Sequence, residues 1–315
     1  MSEVVCLGIF VADALGRPID RFPEFGRLVL FDRLELHTGG CASNTAIGLA
    51  KLGVEVATIG RVGEDEFGDF ILGHLEKCGI NTTGMKRDKD ASTSFTFVSI
   101  ASDGERAFLH TLGANAHFSL EDVDMDRVKG AKILHIAGTF LMPKIDGEPT
   151  ARLLKEAKAA GVITSLDTAY NDRLPDWLSV LAPSLPFMDY FLPSVEEARR
   201  VSGLREPEEV ARFFLDRGVK VVGLKMGLDG AYVASKDEEV RVPIYQVETV
   251  DTTGAGDAFA AGFLKGVLEE WPLKECAKLG NAVAALVVGA IGTSAGLKTF
   301  EETRKFQEER ERCTL

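Results

Sequence analysis

The sequence predicts an α/β fold: a doubly wound, mostly parallel sheet flanked by helices, with a small group of extra strands. Three observations carry this expectation. Short apolar runs rich in β-branched residues alternate with helical stretches, several of them closed by glycine. Strands alternating with helices are the pattern of a parallel sheet joined by crossover helices. Two stretches break the alternation and read as strands projecting from that sheet. Finally, no internal repeat, low-complexity segment or Pro/Gly-rich linker divides the 315 residues, so one domain spanning 1–315 is expected.

Val4–Phe10 (VVCLGIF) reads as a buried first strand. Asp13 follows it, and strand ends are where open α/β sheets bind ligands; the plain alternative is a turn carboxylate. Leu15–His37 holds Pro18, Pro23 and Gly26 and then the apolar run Leu28–Phe31, so it is read as projecting strands and not as a helix. Gly39 and Gly40 precede a helix from about Ala42 to Leu52, with Ile47, Leu49 and Ala50 facing the core and Gly53 as its stop. Val54–Gly60 is the next strand and Phe70–Gly79 a helix. Ser92–Thr111 is the second projecting piece, because Asp103-Gly104 between apolar runs signals a hairpin. The alternation then resumes with a strand at Ala131–Ile136, a helix at Pro149–Ala160 and a strand at Val162–Leu166 ending in Asp167. A strand at Met188–Leu192, helices at Val195–Ser202 and Glu208–Gly218 and a strand at Val219–Lys225 follow.

The formal net charge is −12, and no stretch concentrates Lys and Arg as a nucleic-acid footprint requires. No apolar run reaches the ~18 residues of a membrane span, and Met1–Phe10 lacks the marks of a signal peptide. Cys6, Cys41, Cys78, Cys276 and Cys313 are scattered without a CxxC pair, which argues against disulfides and zinc and for a reduced, cytoplasmic protein. The five histidines show no metal-ligand spacing.

The most informative stretch is Val250–Phe259, VDTTGAGDAF. Gly254, Ala255 and Gly256 let a ligand approach bare backbone, and the apolar run after them reads as a helix. Its first-turn N–H groups lack intrahelical partners and sit at the positive end of the dipole, which makes a cradle for an anion such as phosphate. Asp257 would repel that anion unless it has another job, such as accepting a proton from an attacking hydroxyl. The plain alternative is an acidic residue favouring an ordinary first turn.

The whole string resembles the second signature of the ribokinase (PfkB) family of carbohydrate kinases. Gly39-Gly40-Cys41-Ala42-Ser43-Asn44-Thr45-Ala46 resembles the first signature, in the right order and about two hundred residues earlier. The chain has neither a P-loop nor a GxG at Gly8, which disfavours other nucleotide-binding folds. The resemblance implies a ribokinase-like fold in which segments 12–37 and 92–111 form a small lid over the sugar. It implies an ATP- and magnesium-dependent phosphotransferase acting on a hydroxyl of a small sugar or polyol, like fructokinase, ribokinase or keto-deoxygluconate kinase. Asp13, Gly39, Gly40 and Asn44 would hold the acceptor, Asp257 would be the base, and Gly254–Asp257 would form the anion hole. Glu197 corresponds to the family's magnesium-organising Glu, with Ser194 where the family carries Asn. Lys225, Gly227 and Gly230 fall where the family commonly has TxGxxG, and Asn281 where it lines the adenine pocket. Asp167, Asn171 and Arg173 lie in a segment that contacts phosphates or substrate in relatives; Asn171 is taken as cofactor-binding, with the other roles open. Asp251 and Thr253, with the loop Ala290–Gly296, resemble a potassium site. Arg61–Gly68 and Gly113–Ala116 match family stretches, the former chiefly architectural.

An exposed lid face and edges suggest a homodimer joined through the lids. Rival readings are a sugar-phosphate kinase, with Arg21, Arg27, Arg33 and Arg106 as a clamp, and a nucleoside kinase, with Phe95, Phe97 and Phe108 as an aromatic shelf. A nonenzymatic sugar or nucleotide sensor is the rival of another class.

Overall fold

The computed structural model describes residues 2–312; Cys313 lies outside them. In chain order the elements begin with strands β1 (Val4–Gly8), β2 (Val11–Arg17) and β3 (Arg33–Gly39), helix α1 (Cys41–Lys51), β4 (Val56–Gly63), α2 (Glu66–Lys77) and β5 (Asn81–Asp88). Then come β6 (Phe95–Ile100), β7 (Arg106–Thr111), α3 (Met125–Lys129), β8 (Ile133–Thr139), α4 (Glu148–Ala159), β9 (Ile163–Thr168) and α5 (Trp177–Leu181). The chain continues with β10 (Tyr190–Phe191), α6 (Val195–Ser202), α7 (Pro207–Leu215), β11 (Val221–Lys225), β12 (Ala231–Ser235) and β13 (Glu239–Val242). It closes with α8 (Ala255–Leu268), α9 (Leu273–Val288) and α10 (Phe300–Arg312).

Nine strands form one sheet in the order β13-β12-β11-β10-β9-β8-β1-β4-β5. It is parallel from β5 to β11 and antiparallel only at β12 and β13. Both faces are covered, which explains why β1 reads as an unbroken apolar run. Val4 and Cys6 enter the layer that holds α1, α8 and α9, whereas Val5 and Leu7 enter the layer that holds α4, α6 and α7. Strand order reverses around β1, so the carboxyl ends of β1 and β8 mark a switch point.

The other four strands form a separate small sheet in the order β3-β2-β6-β7. Two expectations are corrected here. The first strand ends at Gly8, short of the expected Phe10, and Asp13 lies inside the next strand, β2. The chain leaves the large sheet at Phe10, whose backbone N–H and C=O are both held by the buried Asn115 amide, at 3.2 and 3.1 Å. The run Leu28–Phe31 is not a strand; Leu28 and Leu30 are 79% and 84% exposed, because β3 begins only at Arg33, opposite Arg17. Sequence reading also passed over β5, β12 and β13. Edge strands such as β5 (NTTGMKRD) need no apolar alternation, because one rim and much of their surface face water.

The stretch Arg61–Gly68 is architectural. Asp65 caps α2 by accepting from the Gly68 N–H at 2.9 Å, and it also accepts from the N–H and hydroxyl of Thr93. Those bonds pin the chain just before β6.

Candidate active site

Chemically active side chains gather at the carboxyl ends of the parallel strands. Asp167 stands near the end of β9, Ser194 just beyond β10 and Lys225 at the end of β11. They border a cleft of about 980 Å³ that is closed on its other side by the start of α8. Gly227, Gly230 and Asn281 line the same cleft.

Gly254 caps α8 in the left-handed conformation, with φ 78°, which a glycine adopts without strain. The Ala255 N–H donates to Thr252 O at 3.3 Å. The N–H groups of Gly254, Gly256 and Asp257 have no hydrogen-bond partner among the described residues. Three backbone donors therefore stand open at a helix N-terminus, on the wall of a cleft.

Lys225 lies directly behind this cradle: its Nζ would be 3.2 Å from a β-carbon at Gly256. Asp167 holds the ammonium at 2.5 Å. Burial works against the lysine charge, but Asp167, Glu197 and Asp257 outweigh it and keep the ammonium above the usual lysine value. Burial also drives Asp167 up to about 7, against the pull of Lys225.

Asp257 lines the cleft and reaches back towards α1. Its Oδ2 accepts from Asn44 Nδ2 at 2.8 Å, and the Cys41 thiol also donates to it. Burial raises its pKa, opposed by Asn44 and by the Lys225 charge. Asn44 Oδ1 is buried with no partner, an open acceptor beside the carboxylate. The register of the small sheet places Asp13 on this side. Asp13 pairs with His37 and with Thr96, so all three share one face of the sheet. Burial lifts the Asp13 carboxyl to about 6, partly offset by a hydrogen bond from Thr96. Gly39 is small because a β-carbon there would collide with the Asp13 carboxylate; at Gly40, φ 89°, one would meet the Ile9 carbonyl.

Several expected roles are not supported by the geometry. Asn171 does not line the cleft: its amide donates to Phe140 O at 2.7 Å and accepts from the Arg173 N–H, so it braces a loop. Asn281 does stand on the cleft wall, and its Nδ2 donates to Val242 O and Pro243 O, which anchors the strand end beside the cleft. Asp251 and Thr253 do not suit potassium. Both oxygens are already bonded to Arg106 Nη1, at 2.6 Å to Asp251 Oδ1 and also to Thr253 Oγ1. That bond removes Arg106 from any phosphate clamp, and Arg21, Arg27 and Arg33 are exposed to solvent. Phe95 and Phe97 pair with Ala12 and Ala14, on the face of the small sheet opposite Asp13, and so form no shelf with it. Phe108, opposite Val98, lies on the Asp13 face.

The acidic residues fit magnesium only sparingly. Among the described residues no three His, Cys, Asp or Glu converge as a metal site. Glu197 and Ser194 form a capping box on α6, and Glu197 Oε2 also accepts from Thr168 Oγ1 at 3.0 Å. Glu197 Oε1 makes no bond among the described residues and is open to a metal-bound water.

Sequence reading missed Cys41 and Thr168 as cleft residues and Arg106 as the partner of Asp251. Cys41 lies inside the first signature, so its position was a usable signal. The Arg106 contact spans 145 positions and left none.

The profile of the pfkB family carbohydrate kinases matches residues 1–299. This chain belongs to that family. It is a carbohydrate kinase with a ribokinase fold. Among its relatives is a 5-dehydro-2-deoxygluconokinase of Clostridium perfringens, 31% identical over 285 residues, 86% of this chain and 83% of the relative. A probable chloroplastic fructokinase-6 of Arabidopsis thaliana is 34% identical over 317 residues, 95% of this chain and 80% of that one. The structure of Arabidopsis thaliana ribokinase complexed with ribose and ATP superimposes with a TM-score of 0.87 at 26% identity, covering 98% of this chain and 99% of that one. A putative ribokinase II from E. coli in complex with ATP and Mg2+ gives a TM-score of 0.86 at 26% identity, covering 98% and 100%. ATP and magnesium are thus found bound in the family to which this kinase belongs.

Proposed function

We propose that this pfkB kinase transfers the γ-phosphoryl group of ATP to a hydroxyl of a small, unphosphorylated sugar or sugar acid, with Asp257 as the general base. The observation that carries the reading is the convergence of open backbone donors at Gly254, Gly256 and Asp257 with the Asp257 carboxylate, which reaches across to Asn44. A phosphoryl group in the cradle and a hydroxyl beside Asn44 would both meet that carboxylate.

ATP would lie in the large cleft, with its polyphosphate at the start of α8 and Lys225 behind it. Magnesium, held by the nucleotide and by water on Glu197, would neutralise the phosphate tail. Asp13 and the open Asn44 Oδ1 would orient the acceptor. Asp257 would take the hydroxyl proton as the oxygen attacks, its raised pKa making it a better proton acceptor than an ordinary carboxylate. The cradle N–H groups would stabilise charge on the transferring phosphoryl group. The small sheet would serve as a lid that excludes water from competing as acceptor.

The exposed arginines and the side of the sheet taken by Phe95 and Phe97 favour a plain sugar over a sugar phosphate or nucleoside. The outer face of the lid carries Leu34, Leu36 and Leu109, which are 62%, 41% and 60% exposed; this favours a homodimer joined through the lids. Among the described residues the four cysteines are unpaired, which favours the reducing cytoplasm.

The decisive experiment is ATP- and magnesium-dependent ADP release across a panel of ketohexoses, ribose, keto-deoxy sugar acids, sugar phosphates and nucleosides. Turnover of an unphosphorylated sugar or sugar acid is the expected result. Turnover confined to nucleosides or sugar phosphates would overturn the substrate reading.

A further inference from the structure

Arg106 occupies an unusual place. It begins β7 of the small sheet, yet its guanidinium is inserted into the loop that leads to α8, between Asp251 and Thr253. Asp251 is 2% exposed and is saturated with donors. Its Oδ1 takes Arg106 Nη1 at 2.6 Å and the Thr253 N–H at 2.8 Å, and its Oδ2 takes the Gly292 N–H at 2.8 Å. Burial resists ionisation of Asp251, but Arg106 and the two N–H groups hold its carboxyl below the usual value. Arg106 itself is only 18% exposed.

The oxygens that meet at the guanidinium, one from a buried carboxylate and one from a hydroxyl, are of the kind a monovalent cation would use at this point. One negative charge is matched by one positive charge. A guanidinium cannot lose its proton in this pH range, and here its Nη1 donates to both Asp251 Oδ1 and Thr253 Oγ1. Added potassium would have to displace a charge that is covalently tethered.

The consequence reaches the cradle. Asp251 joins the 251–254 loop to the 290–296 loop through Gly292, and Gly254 packs against Thr293 in that second loop. The Arg106 bond therefore fixes the loop whose last residue, Gly254, caps α8. Ile100, opposite Arg106 in the β6–β7 pair, packs with Leu15, Val98 and Ile291, which ties the same part of the small sheet to the 290–296 loop.

We propose that Arg106 is a built-in substitute for a monovalent cation: it orders the phosphate-binding loop from the small sheet, so catalysis does not depend on potassium and cradle order is coupled to the placement of that sheet. Arg106 is a positioning residue and touches no reacting atom. The inference rests on the kinase reading, because it assigns the 251–254 loop to phosphoryl binding.

The test compares sugar phosphorylation in potassium, sodium and tetramethylammonium chlorides at equal ionic strength. The wild-type rate is expected to agree within about twofold in all three, as a permanently charged side chain requires. Arg106→Ala is expected to lose about 10- to 100-fold in kcat, the scale of a slightly misplaced catalytic group, with a smaller change in the KM for sugar. It should regain part of that loss with potassium or with low-millimolar guanidinium. Arg106→Gln, which keeps bulk without charge, controls for folding. A second readout needs no sugar turnover: potassium should raise the melting temperature of Arg106→Ala relative to tetramethylammonium and leave that of the wild type unchanged. Strong potassium activation or potassium-specific stabilisation of the wild-type enzyme would overturn the proposal. So would an Arg106→Ala enzyme with normal kcat. Absence of any sugar turnover would count against the kinase reading alone, because the melting comparison still decides the cation question.

Discussion

Asp88 and Asp167 are each only 2% exposed to solvent, and both pair with a cation. Yet Asp88 is held down at about 2, whereas Asp167 is driven up to about 7. Two causes separate them: Asp167 lies far deeper in the protein, so desolvation weighs most on it, and its carboxylate is also less completely satisfied. Asp88 accepts from Arg61 Nε at 2.7 Å, from His117 Nδ1 at 2.9 Å and from the N–H groups of Asp90 and Ala91, and Arg61 continues to Asp122. Asp167 has Lys225 and the Thr168 N–H, and it shares that one lysine with Glu197 and Asp257. The first cluster meets its carboxylate with four donors and ties the end of β5 to the segment before α3. The second is short of positive charge and opens onto a cleft, where an incoming metal–nucleotide would complete it. A saturated cluster supports structure, and an incomplete one at the carboxyl ends of a parallel sheet supports chemistry.

The sharpest way to break this contrast is Asp257→Asn. Turnover is expected to fall by about 10²–10⁴-fold, the range for a positioned general base. The melting temperature should hold or rise, because the raised pKa means that the folded protein resists the ionised form. Near-normal turnover would reduce the second cluster to a structural one.

Next in size is Lys225→Met. It leaves Asp167 buried beside other carboxylates, and a broken buried pair costs about 3–5 kcal/mol. Denaturant unfolding should show the loss, together with a higher KM for ATP. Unchanged ATP binding would separate Lys225 from the cradle.

Asp88→Asn is the matching change in the saturated cluster. It should cost about 2–3 kcal/mol in unfolding experiments through the orphaned Arg61 and backbone donors, with kcat unaltered. A drop in kcat at full folding would erase the division between the two regions.

Acid titration gives the smallest effect and separates the clusters by sign. The Asp88 carboxyl lies below its unfolded value near 4, so its stabilisation of about 2 kcal/mol is complete above pH ~4 and is lost as the pH falls towards 2. Asp13, lifted to about 6, and Asp257, also raised, have the opposite sign and oppose folding once ionised. Because Asp257 must be ionised to accept a proton, kcat should decline on acidification at a pH above the ordinary carboxylate range. A kcat profile that stays flat down to pH ~4 would remove the raised base.

Much of the large sheet was legible in the chain. Apolar runs such as Val4–Leu7 and Val221–Leu224 are buried on both faces of the sheet, and that double burial leaves a mark on composition. The edge strands β5 and β13 were not legible, because half of each faces solvent and local composition does not distinguish them from loops. Within the site, the two glycine-containing stretches announced themselves because backbone exposure and left-handed geometry restrict which residues fit. Asn171 misled for the opposite reason: an amide serves a ligand and a neighbouring carbonyl equally well, and only its surroundings decide which.

What the sequence by itself determined is the family, the alternation of most of the parallel strands with helices and the glycine-rich start of α8 at Gly254–Asp257, since each depends on local periodicity or on residues whose backbone demands are specific. What only the tertiary structure decided is which face of the small sheet carries Asp13, how Asn44 meets Asp257 across 213 positions, and that Arg106 fills the charge deficit at Asp251. The reason is physical. Electrostatic pairing depends on separation in space and on desolvation, and a charge on one strand gives no local sign of the carboxylate it will neutralise once the chain has folded.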